Sequence, residues 1–148
     1  MRAKMSDRRI PLALLLLRLS VFLVMLMWTL DKFVRPQHAA AVFESFYAIG
    51  GLGNTVIYVI GAVQLLIIIG FVLGYQKRWT YGAVLFFHAV STLSAFRQYF
   101  APYTDSNLLF FAAWPMLAAC FALFYLRDLD TMWVLDKRAG NGHRGVGA

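Results

Sequence analysis

The chain has 148 residues, 61% of them apolar, 16% aromatic and 14% charged, with a net charge of +7. Soluble domains run nearer half apolar and a quarter charged, so the polar side chains here are too few to clothe a water-facing fold. That balance excludes an ordinary soluble enzyme and points to a membrane protein.

A basic stretch at 1–9, with Arg2, Lys4, Arg8 and Arg9, leads into the first apolar run, 10–30. Three more follow, at 55–73, 79–96 and 107–126. Each is about 18 to 21 residues, long enough for a helix across roughly 30 Å of hydrocarbon. Backbone groups in lipid must be paired within their own segment, and none of the runs alternates as a barrel strand does, so the expected fold is all-α. The chain is read as a polytopic four-transmembrane-helix bundle over 10–126, with a cytoplasmic tail at 127–148 whose glycine-rich end is expected to be disordered. A cleaved leader is disfavoured, because the first run is too long for an h-region and the alanines at 39–41 lie beyond a charged stretch.

Punctuation agrees with these runs. Pro11 suits a first helical turn, Gly74 a stop, and Asp105, Ser106 and Asn107 a start. Pro115 falls inside the fourth run, where it is expected to bend the helix. Between the first two spans, Val42, Phe43, Phe46, Tyr47 and Ile49 recur at helical spacing and predict a short amphipathic helix. Leu129, Met132, Trp133 and Leu135 predict an interfacial helix after the fourth span.

Basic residues crowd one side: Arg2, Lys4, Arg8, Arg9, Lys77, Arg78, Arg127, Lys137, Arg138 and Arg144. The positive-inside rule then places both termini in the cytoplasm. Topology and contact with the lipid bilayer account for the excess charge, leaving no case for nucleic acid.

Polar residues within the spans are the candidates for function. Arg18 lies well inside the first, where an arginine costs a few kcal/mol unless it is paired or snorkels to the headgroups. Gln64 and His88 lie at comparable depth, so the three are candidates for one polar layer binding an anionic or carbonyl-bearing ligand. Trp28, Asp31 and Lys32 end the first span, and Ser91, Ser94 and Arg97 approach the same surface. Asp31 and Arg97 are expected to pair there. A single Cys, Cys120, excludes a disulfide framework and dithiol chemistry, and one intramembrane His supports neither a metal site nor bis-His haem. No catalytic set is found.

The run RLSVFLVMLMWTLDKFV at 18–34 resembles the first-helix signature of the DoxX-like membrane proteins, which carry an Arg near the start, a Lys near the end and an aromatic residue shortly before that Lys. Arg18, Lys32 and Trp28 match these positions, while Thr29 stands where Gly is usual. GAVQLLIIIGFVLGYQKRW at 61–79 is similar to the family's second helix and tight basic turn, with Gln64 where many members have Glu. The resemblance implies a four-helix protein of the bacterial inner membrane, associated with redox metabolism. It would serve as an accessory or anchoring subunit beside a redox-enzyme subunit or a second copy of itself, and not as an enzyme on its own. Quinone would be the diffusible cofactor, held by Arg18, Gln64 and His88, with Trp28 and Lys32 near the outer entrance. A small-molecule exporter and a ligand-free assembly factor are the alternatives.

Overall fold

The computed structural model describes residues 8–136, and helices are the regular structure found among them. The basic stretch before residue 8 and the expected disordered end from residue 137 lie outside the described residues. In chain order the helices are α1 (Arg9–Val34), α2 (Pro36–Tyr47), α3 (Asn54–Val72), α4 (Lys77–Ser94), the short α5 (Phe96–Phe100), a 3-10 helix (Asn107–Ala112) and α6 (Ala113–Tyr125). The long helices form a ring in which α1 packs on α3, α3 on α4, α4 on α6 and α6 on α1.

By length and composition, three stretches are able to cross a membrane: Arg9–Val34, Asn54–Val72 and Asn107–Tyr125. α4 is less apolar, because it begins with Lys77 and Arg78 and carries His88 and Thr92. The outward surface is largely hydrocarbon: Leu16, Leu23, Leu66, Phe86, Leu109 and Phe121 are all exposed. A patch of this extent is not sustained in water by a monomer.

On α1 the buried residues are Leu14, Leu15, Arg18, Val21, Met25, Thr29 and Lys32, spaced to make one stripe. Arg18 therefore sits on the face that meets the other helices. The core joins Leu14, Val21 and Met25 to Ile68 and Phe71 of α3, Tyr81 and Val84 of α4, and Cys120 and Leu123 of α6. Gly61 lets α3 approach α1, since a Cβ there would lie 2.9 Å from the Phe33 ring.

The α3–α4 turn closes the end that carries Lys77, Arg78 and Arg127, called here the basic end. α3 stops in a Schellman motif: Tyr75 N–H donates to Gly70 C=O (2.9 Å), Gly74 N–H donates to Phe71 C=O (3.1 Å), and Gly74 has φ +61°. At the opposite end, α2 follows α1 after the single residue Arg35, so the expected amphipathic segment is a helix but starts earlier, at Pro36.

Three local expectations fail. The fourth run starts as a 3-10 helix, and Pro115 falls in the first turn of α6, where its missing N–H has no intrahelical partner to lose. It marks the change of helix type and does not kink an established helix. Asp105 to Asn107 provide no side-chain cap; Asn107 Nδ2 donates instead to Ala101 C=O (2.9 Å), and Asp105 takes a left-handed φ of +48°. The predicted helix after the fourth run is absent: residues 126–136 form turns and bends that cross the basic end as a strap.

Candidate functional site

The strap carries the feature that organises the basic end. Leu135 N–H donates to Leu73 C=O (2.8 Å) and Asp136 N–H to Gly74 C=O (3.1 Å), stitching the strap to the α3–α4 turn. The Asp136 carboxylate accepts from the backbone N–H groups of Gln76 (2.8 Å) and Lys77 (3.0 Å). It thereby caps the positive end of α4, whose own N-cap residue makes no side-chain cap bond. Lys77 Nζ donates to Arg127 C=O and Asp130 C=O at 2.8 and 3.0 Å.

These bonds hold Asp130 over Arg18. Arg18 Nη1 donates to Asp130 Oδ2 (2.8 Å) and to Tyr81 Oη (3.1 Å), and Tyr81 Oη in turn donates to Asp130 Oδ2 (2.7 Å). Arg18 Nη2 donates to the carbonyls of Met132 (2.6 Å) and Trp133 (3.1 Å). Arg18 and Asp130 are both 0% exposed. Breaking such a pair strands a buried charge, at a cost of about 3–5 kcal/mol. Arg18 Nε and Asp130 Oδ1 are buried without a hydrogen-bond partner among the described residues, so the network is tight without being fully satisfied.

Of the five predicted site residues, only Lys32 and Trp28 are joined by a hydrogen bond among the described residues, and Arg18, Gln64 and His88 are not linked to one another. Arg18 finds its acceptors in the strap and Tyr81, and neither Gln64 nor His88 is among its partners. His88 Nε2 lies 3.0 Å from Ala113 C=O, bridging α4 to α6, and Gln64 is half-buried on α3 with no side-chain hydrogen bond among the described residues. Lys32 is buried, with its stem against Gly61 and Nζ donating to Trp28 C=O (3.1 Å), while the Trp28 ring is exposed.

The expected Asp31–Arg97 pair does not form. Asp31 lies 2.6 Å from Arg35 Nη2 on one side and 2.6 Å from His38 Nδ1 on the other, an arrangement that braces the α1–α2 corner. Both partners are close in sequence, so they reach Asp31 first. Met27, Trp28, Leu30, Asp31, Val34, Arg35 and His38 line an open groove of about 390 Å³ beside this corner. On the other flank, Tyr99 Oη donates to Thr92 C=O (2.9 Å), and burial pushes its phenol above the ordinary range.

Searches against known protein families, curated proteins and solved structures find no match. The geometry therefore stands by itself: a buried charge pair that closes one end of the bundle, and an open, aromatic-flanked groove at the other. No group of His, Cys, Asp and Glu able to hold a metal ion occurs among the described residues. Asp130, Tyr81 and Asp136 were missed from the sequence. The available signal was Arg18 itself, since a span-embedded cation needs an acceptor and Asp130 lies just past the last apolar run on the same side.

Proposed function

We propose that the chain is a DoxX-like, multi-pass protein of a bacterial cytoplasmic membrane with four spans and both termini inside. On this reading it acts as an accessory or anchoring subunit of a membrane redox system, beside a redox-enzyme subunit or a second copy, with quinone as the diffusible cofactor. It performs no chemistry alone. The observation that carries the non-catalytic part is the closure of Arg18 by the chain's own Asp130, Tyr81 and two carbonyls. A cation held by internal acceptors through both Nη groups is a structural fastener, and a path for a polar solute through the bundle would have to break it. The apolar outward surface supports membrane insertion. The redox association rests on the resemblance of 18–34 and 61–79, and the open groove beside Trp28 and His38 is the surface best suited to a quinone ring or a partner helix.

Purification from native membranes in mild detergent, followed by protein identification and quinone extraction, tests this reading. A redox-enzyme subunit and quinone are expected to co-purify in near-stoichiometric amounts. A chain that emerges alone and free of quinone contradicts the assignment, and solute flux by the pure chain in liposomes favours the exporter.

A further inference from the structure

With Asp31 claimed by Arg35 and His38, Arg97 is left without a carboxylate within ion-pair distance among the described residues. Its guanidinium carbon lies 5.8 Å from the centroid of the Phe96 ring, at the junction of α4 and α5. Beside it is a partly enclosed cleft of about 150 Å³, lined by Ser45, Phe46 and Ala48 from the end of α2 and by Ser94, Phe96, Arg97 and Gln98. No acidic side chain is in this lining. The nearest carboxylate on α2, Glu44, turns instead toward Gly50, 3.5 Å from where a Cβ would stand.

Around the cleft, Ser94 Oγ already donates to Ser91 C=O (2.9 Å), whereas the Arg97 guanidinium, Gln98 Nε2 and Ser45 Oγ are donors without an acceptor among the described residues. Neither the Gln98 amide nor the Ser45 hydroxyl makes a side-chain hydrogen bond among the described residues, and Gln98 Oε1 is buried without a partner. The protein does not fix this amide, which leaves Nε2 available to a ligand. A cation with an amide and a hydroxyl donor forms a set for an oxyanion, and guanidinium in particular matches the oxygens of a phosphate. Drug-sized ligands need roughly 300 Å³ or more, so the volume suits a headgroup-sized ligand. Val90 and Leu93 are exposed on α4 three residues apart, and so on one face, leading away from the cleft toward the middle of the bundle.

We propose that this cleft holds the phosphodiester of an outer-leaflet phospholipid, with Arg97, Gln98 Nε2 and Ser45 Oγ donating to its oxygens and an acyl chain lying along Leu93 and Val90. The proposal rests on the membrane reading above and adds to it a specific lipid site. Unlike a general attraction of basic residues for lipid, it depends on Arg97 and not on Arg35, another exposed arginine at this end, which Asp31 already neutralises.

Native mass spectrometry of the full chain, delipidated in detergent and titrated with phosphatidylglycerol, tests it. Phosphate-free diacylglycerol with the same acyl chains and inorganic phosphate serve as the other probes. One phosphatidylglycerol is expected to be retained, with diacylglycerol bound at least about tenfold more weakly and inorganic phosphate unable to displace the lipid. Arg97→Gln is expected to weaken retention by about tenfold or more while Arg35→Gln leaves it unchanged, with the thermal midpoint of Arg97→Gln unaltered because the side chain is exposed. Equal retention by Arg97→Gln and the parent, equal loss in both variants, or displacement by inorganic phosphate alone overturns the proposal. A chain that does not fractionate with membranes at all fails the membrane reading instead, so the two failures are separable.

Discussion

Arg18 is the residue on which the structure turns. It sits on the buried stripe of α1 between Leu14 and Val21, so it has no route outward to headgroups and needs acceptors from within. Arg18→Leu is expected to lower unfolding stability in detergent by about 3–5 kcal/mol, because Asp130 is then a buried, unpaired carboxylate. Asp130→Leu should cost a similar amount. The double variant should lose clearly less than the sum of the two, since neither charge is left stranded. A denaturation-based double-mutant cycle reads this directly, and additive losses would show that the pair is not coupled. Tyr81→Phe removes the donor to Asp130 Oδ2 and an acceptor for Arg18, and is expected to cost about 1–3 kcal/mol in the same assay. The sequence made Arg18 conspicuous but hid its partner. Asp130 lies 112 positions away and beyond the last apolar run, and only folding of the strap brings it back.

At the scale of elements, the strap shows what an apolar pattern leaves unsaid. Leu129, Met132, Trp133 and Leu135 have the spacing of an interfacial helix, yet the segment folds as turns and bends because its backbone bonds to the α3–α4 turn and its carbonyls are taken by Arg18 and Lys77. Tertiary hydrogen bonds outweigh local periodicity here. Gly74 is part of the same fit: it has φ +61°, and a Cβ would stand 2.5 Å from Val134. Gly74→Val should therefore loosen the strap through both strain and clash, with faster backbone hydrogen exchange over residues 127–136. Asp136→Ala removes the cap of α4 and is expected to cost about 1 kcal/mol, with the increase in exchange confined to the strap and the first turn of α4. Unchanged exchange in either variant would contradict the pinned strap. The 3-10 start of the last run was equally hidden, because an unbroken apolar composition does not distinguish helix types, although Pro115 marks the place where the change occurs.

At the scale of the whole molecule, much more was legible. Four apolar runs became four long helical stretches, and the amphipathic segment after the first became α2, because burial in a bundle demands long apolar helices whatever their detailed contacts. The ring order of the helices and the closure of one end were not legible, since both depend on which faces meet, and the first span is apolar almost all round. Most of the basic residues described lie at the strap end, while the other end has an open groove and an Arg97 with no carboxylate partner among the described residues, an asymmetry that suits a membrane with the basic end inside. The central claim is that all four helices, including the less apolar α4, cross that membrane. Single cysteines placed at the exposed positions Glu44, Arg78, Thr104 and Asp128 in a Cys120→Ala background test it most directly, using a membrane-impermeant maleimide on intact and permeabilised spheroplasts. Four crossings predict that positions 44 and 104 label in intact spheroplasts, whereas 78 and 128 label only after permeabilisation; labelling of 128 from outside, or protection of 104, would show that α4 does not cross and would contradict the account.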